Sequence, residues 1–192
     1  MVLLKHTRGD FMNEYNYIKT PEELSIYMDK SIEYGYLGKD GKVHHYTDKN
    51  FNDVWEEEYI LENKDDVLKT KVGNCYDQVE FERDWFIKNG YIVKTFYEIV
   101  DLDYENDYPT HSFLAYFDEK WHWFENSDFN NRGIHSFDSL EKLLDYQKKK
   151  YLELLATFNI KEEEKEKIII KEFSKPKEHL SAREYIDFVM KK

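Results

Sequence analysis

Apolar residues recur along this chain at two spacings, and the changes from one to the other mark its elements. Leu24, Tyr27, Met28 and Ile32 follow one another at helical spacing. Ahead of them, Thr20-Pro21-Glu22-Glu23 opens a helix with a threonine cap, a proline at the first helical position and a glutamate three residues after the cap. Gly35 is the expected stop, and Gly38-Lys39-Asp40-Gly41 reads as a turn. From residue 43 to 55 aromatic and polar residues mix without a period, and no element is assigned. A second helix is expected over residues 75–89, capped by Asn74 and stopped by Gly90. Cys75, Val79 and Phe86 lie near one of its faces, with Trp85 adjoining.

The spacing then shortens. Residues 91–100 are rich in β-branched and aromatic side chains and predict a strand, followed by an acidic loop over 101–110. Residues 111–117 and 121–125 predict two more strands, joined by Asp118-Glu119-Lys120 as a hairpin. With that loop, Phe117 faces Trp121 and Phe113 faces Glu125. His111 then shares a sheet face with Glu125, one diagonal step away, and a slip of one residue would part them. Asp138-Ser139-Leu140-Glu141 caps a long helix carrying Leu140, Leu143, Leu144, Tyr151, Leu155 and Phe158. A charged stretch over 161–167 leads to a strand at Ile168-Ile169-Ile170. Ser181-Ala182-Arg183-Glu184 caps a last helix with Tyr185, Ile186 and Val189 inward. The expectation is one α+β domain over residues 1–192, with its core at about 20–160 and residues 161–192 as an accessory strand and helix.

Composition narrows the function. Aromatic residues make up 17% of the 192, so a folded core is expected rather than disorder. A net charge of -12 argues against a nucleic-acid partner, which needs clustered Lys and Arg, and against an anionic membrane. No apolar run reaches transmembrane length, and the first residues lack a signal peptide's apolar region. The single cysteine makes no internal disulfide and suits a reducing cytoplasm. It also rules out a C-x-x-C metal site, and the rings of His44 and His45 would face opposite ways in a strand, so no metal is expected. The loop over 101–107 has a calcium loop's acidity without its central glycine or terminal glutamate.

That cysteine, Cys75, carries the candidate chemistry. Lys71-Val72-Gly73-Asn74 leads straight into it, placing a thiol on the first turn of a helix where free N–H groups and the dipole favour thiolate. His111 and Glu125 follow in order. Acyl transfer needs a nucleophile, a proton carrier and a home for the oxyanion. Cys75 would attack, its backbone N–H would face the oxyanion, His111 would carry the proton, and Glu125 would orient the ring. Set against this, a lone cysteine is commonly a small buried hydrophobe. Tyr104, Tyr108, Phe113, Trp121 and Trp123, near His111, read more simply as core than as a substrate wall.

These residues carry a resemblance. Gly73-Asn74-Cys75-Tyr76-Asp77, opening a helix that ends in glycine, is similar to the nucleophile segment of the transglutaminase-like superfamily, whose members are papain-like in fold. His111-Ser112-Phe113 resembles its histidine segment, and Trp121-His122-Trp123-Phe124-Glu125-Asn126-Ser127 its tryptophan-bearing strand ending at the triad acid. The match spans about 66–127, in the family's order. It implies a helix presenting the cysteine against an antiparallel sheet presenting histidine and acid, and thioester chemistry on a peptide or protein amide with no cofactor. The family usually has aspartate where this chain has Glu125, which moves the carboxylate by about one C–C bond, roughly 1.5 Å. Asn126 and Asp128 therefore remain open as the third member. Hydrolase and transferase are equally open, as is oligomeric state. A binding module that kept the scaffold and lost the chemistry is the rival, holding a peptide or cationic partner. An arylamine acetyltransferase-like enzyme is a further one, although the arginine and glycine pair before its cysteine is missing.

Overall fold

The computed structural model describes residues 14–102 and 108–191 of the chain. Helix α1 (Pro21–Ser31) starts where its cap predicts, with the Thr20 hydroxyl accepting from the Glu23 N–H at 3.2 Å. It ends before Gly35, because Ile32 is already extended. Gly35 instead opens strand β1 (Gly35–Gly38), paired with β2 (Val43–His45), and a Cβ there would collide with the His44 carbonyl oxygen. Close strand approach, not helix termination, is what demands glycine. The unassigned stretch resolves into β2 and helix α2 (Phe51–Glu58), after which β3 (Tyr59–Ile60) pairs with the other edge of β1. His44 stacks on Tyr36, while Nδ1 of His45 lies 3.0 Å from Glu33, so the adjacent rings have separate partners.

Helix α3 (Lys64–Thr70), capped by Asn63, leads to the central helix α4 (Cys75–Lys88). Asn89 closes α4, and Gly90 follows in the left-handed region at φ 83. The reading of one apolar face on α4 is too narrow. Asp77, Glu80, Glu82 and Arg83 are also buried, because packing surrounds the helix. Arg83 lies 3.0 Å from Glu80 and donates to the Thr95 hydroxyl, which supplies partners for part of that charge.

Strands β4 (Ile92–Val100), β5 (His111–Asp118), β6 (Lys120–Glu125) and β7 (Gly133–Phe137) follow. Their alternation builds two cores. Tyr97, Ile99, Leu114, Tyr116 and Phe124 join Val79 and Phe86 of α4 in one. Phe96, Phe113, Ala115 and Trp123 face Leu143 of helix α5 (Leu140–Ala156) in the other. The β5–β6 register has Phe117 opposite Trp121, as the hairpin pattern predicts, with Glu119 at φ 58 making the turn. Phe158, expected in the core of α5, lies past its end and is exposed.

After the short helix α6 (Glu162–Lys165), strand β8 (Ile168–Phe173) pairs with β4, giving an antiparallel sheet of order β7-β6-β5-β4-β8. Helix α7 (Ala182–Met190) places Tyr185 flat against Tyr76 of α4, with ring centroids 4.3 Å apart. The stretch expected to be accessory thus completes both the sheet and the main core. The architecture is α+β. No helix among the described residues is long and apolar enough to cross a membrane. Residues 103–107 of the acidic loop, Tyr104 among them, lie outside the described residues.

Candidate active site

Position begins with the start of α4. Asn74 Oδ1 accepts from the N–H groups of Tyr76 (2.8 Å) and Asp77 (3.4 Å), and Asp77 Oδ2 accepts in return from the Asn74 N–H at 2.9 Å. That reciprocal box closes the first turn and leaves the Cys75 N–H outside the cap's own bonds. The other Asp77 oxygen accepts from the Tyr59 hydroxyl and the Glu62 N–H, both at 2.8 Å, so the turn is pinned from β3 as well.

A hydroxyl chain fixes the helix against the sheet. Tyr76, next to Cys75, shares a 2.6 Å hydrogen bond with the hydroxyl of Thr110, next to His111. The Tyr76 hydroxyl also lies 3.2 Å from that of Tyr97. The residue after the thiol is therefore tied to the residue before the imidazole, which holds the two candidate side chains to one geometry.

His111 begins β5, and its Nε2 lies 2.8 Å from Oε2 of Glu125 at the end of β6. Both sit on the sheet face predicted from the hairpin register. The second carboxylate oxygen of Glu125 accepts from the Ser127 hydroxyl (2.9 Å) and the Asp128 N–H (2.7 Å). The two other candidates for the third member turn elsewhere. Asn126 donates to Gln78 Oε1 at 2.8 Å, and Gln78 donates to the Gly73 carbonyl at 2.7 Å, bracing the approach to the thiol. The Asp128 carboxylate accepts from the Asn130 N–H and the Asn131 amide within its own loop.

The Cys75 sulfur lines the same cleft as His111 and acts on its charge. With Nε2 committed to Glu125, Nδ1 is the ring nitrogen left for it. Burial pulls the His111 pKa down, but the Glu125 carboxylate and the Cys75 sulfur outweigh it and hold the imidazole well above its ordinary value. Burial pushes Glu125 up, and the His111 charge with its three hydrogen bonds reverses this and leaves it low. The pair is therefore an imidazolium and a carboxylate, on a histidine side chain 17% exposed and a glutamate 2% exposed.

Sequence reasoning missed two groups. The Tyr34 hydroxyl interacts with the Cys75 sulfur, and burial with the neighbouring negative groups raises its pKa well above normal. Nothing near residue 34 signals this, because the contact joins the loop after α1 to the start of α4. Glu98 lies directly across from His111 in the β4–β5 ladder. A lone acid inside a strand rich in β-branched and aromatic residues was its available signal. Cys75, Tyr34, Glu98 and His111 all line a cleft of about 570 Å³. Of the aromatic crowd near His111, Phe113 is core, Trp121 packs partly buried against it, Trp123 is core and cleft wall at once, and Tyr108 donates to Glu164 elsewhere.

The described residues contain no group of three or more metal-binding side chains suited to an ion. No family model and no curated protein matches this chain.

Proposed function

We propose that the protein is a cysteine-dependent acyl-transfer enzyme with a transglutaminase-like, papain-like core, acting on a peptide or protein amide. The observation that carries this reading is one imidazole bonded to the Glu125 carboxylate and sharing a cleft with the Cys75 sulfur, which raises its pKa. The Cys75 sulfur attacks the amide carbon, a C–S bond forms, and the carbonyl electron pair moves to oxygen. The Cys75 N–H and the Tyr34 hydroxyl, which shares the cleft, serve as donors to that oxygen. His111 gives its proton to the amide nitrogen as the C–N bond breaks, leaving a thioester. Water or an amine then attacks, His111 takes the incoming proton, and the sulfur leaves. Glu125 orients the ring and stabilises its charged form throughout. A reducing compartment such as the cytoplasm suits a catalytic thiol.

One observation favours the rival binding module. Cys75 is only 7% exposed, and Tyr34 shares the cleft with it. Incubation with p-nitrophenyl acetate separates the two. The enzyme reading predicts a burst of nitrophenolate and an acetyl group on Cys75 by mass spectrometry, absent in Cys75→Ala and at least about a hundredfold slower in His111→Ala, the usual share of general-base catalysis. No acetylation, or equal acetylation of the His111 variant, would leave the binding module as the better account.

A further inference from the structure

Beside the triad, on the α5 side of the sheet, three buried polar atoms have no hydrogen-bond partner among the described residues: Glu98 Oε1, Trp123 Nε1 and Gln147 Nε2. All three residues line the same cleft as Cys75 and His111. They come from β4, β6 and α5, so no local turn or cap brought them together. Their residues are no more than 2% exposed. Leaving three such atoms unpaired is costly, and a folded chain rarely gathers them in one place without something to satisfy them. The triad chemistry uses none of them.

Their donor and acceptor pattern limits the occupant. Trp123 and Gln147 offer neutral N–H donors. Glu98 is pushed up to about 8, chiefly by burial, with His111 opposing and Glu125 and Asp128 adding to it, so near neutrality it is mostly uncharged. An anion entering this space would meet the carboxylates of Asp128 and Glu153, with Lys150, the one lysine on the lining, already paired to Glu153. A cation would meet two N–H dipoles and a charged imidazole. An uncharged group bearing one carbonyl and one N–H satisfies every atom.

We propose that this wall of the cleft is a subsite for a peptide unit on the leaving-group side of the substrate, whose carbonyl accepts from Gln147 and Trp123 and whose N–H donates to Glu98. The side is assigned on the acyl-transfer reading, because Glu98 adjoins His111, which protonates the leaving nitrogen. The subsite makes the enzyme prefer amides followed by a further peptide unit over amides that end at the scissile nitrogen.

The test needs no catalysis. Cys75→Ala protein is titrated with acetyl-glycyl-glycinamide, and the Trp123 indole N–H is followed by NMR after its assignment with Trp123→Phe. The resonance is expected to move downfield and saturate. Acetylglycine and butylammonium, the anionic and cationic probes, should bind about tenfold more weakly, the worth of one or two neutral hydrogen bonds. Gln147→Leu and Glu98→Leu should each weaken the peptide by a similar factor, while the isosteric Glu98→Gln retains most of it. No movement of the indole signal in folded protein overturns the proposal, as does equal binding of either ion or indifference to Gln147→Leu and Glu98→Leu alike. Saturable binding here without acetylation of the wild type would sink the enzyme and keep the subsite. Acetylation without binding would do the reverse.

Discussion

Glu125 decides how His111 behaves. Glu125→Gln removes the charge while nearly keeping the shape, so an NMR titration of the His111 ring should show its pKa falling toward the ordinary 6.5. The same change should cost about 1.5–3 kcal/mol, the range for a hydrogen bond to a charged group. Its pH dependence follows from the two shifts. His111 is raised in the folded state, so its contribution is complete below about 6.5 and is lost as pH rises through the folded value. Glu125 is lowered, so its contribution is complete above about 4.5 and is lost as pH falls through its folded value. The stability gap between wild type and Glu125→Gln in urea unfolding should therefore be widest between pH 4.5 and 6.5. A gap that stays flat across pH would contradict the ion pair.

At the scale of elements, the start of α4 concentrates most of the local design. Asp77→Ala removes an acceptor used by Tyr59, Glu62 and Asn74 at once. Stranded buried donors cost about 1–3 kcal/mol each, so a loss of about 3 kcal/mol or more in chemical denaturation is expected. A loss below about 1 kcal/mol would mean that the turn is held by something else. This part of the fold was legible in the chain because caps are local: Thr20, Asn74, Ser139 and Ser181 each announce a helix within four residues of sequence. The hairpin register was legible too, since a short loop and a period of two leave one pairing that buries Phe113 and Trp123 together. It is that register which placed His111 beside Glu125. Gly35 misled because glycine signals both a helix stop and a close strand, and only its partner β2 distinguishes them. Tyr34 and Gln147 escaped notice for another reason. Each gains its meaning from an element distant in sequence, and their convergence leaves no local pattern.

For the whole molecule, the outcome turns on the last thirty or so residues. β8 completes the sheet against β4, and Tyr185 stacks on Tyr76, whose hydroxyl ties the cysteine helix to the histidine strand. Removing residues 161–192 would expose the β4 edge and open the core under the site. The shortened chain should lose its cooperative thermal transition by circular dichroism. If it melts close to the full-length protein, the tail is the accessory layer first expected from its sequence.

All of these scales meet at the grouping of thiol, imidazole and carboxylate, and the rate of Cys75 alkylation by iodoacetamide across pH reads that grouping directly. If the three groups act as a unit, Cys75 reacts rapidly well below pH 8, and His111→Ala removes the low-pH reactivity even though the site remains folded. An ordinary thiol profile, rising only toward pH 8.5 and unchanged in His111→Ala, would contradict the account.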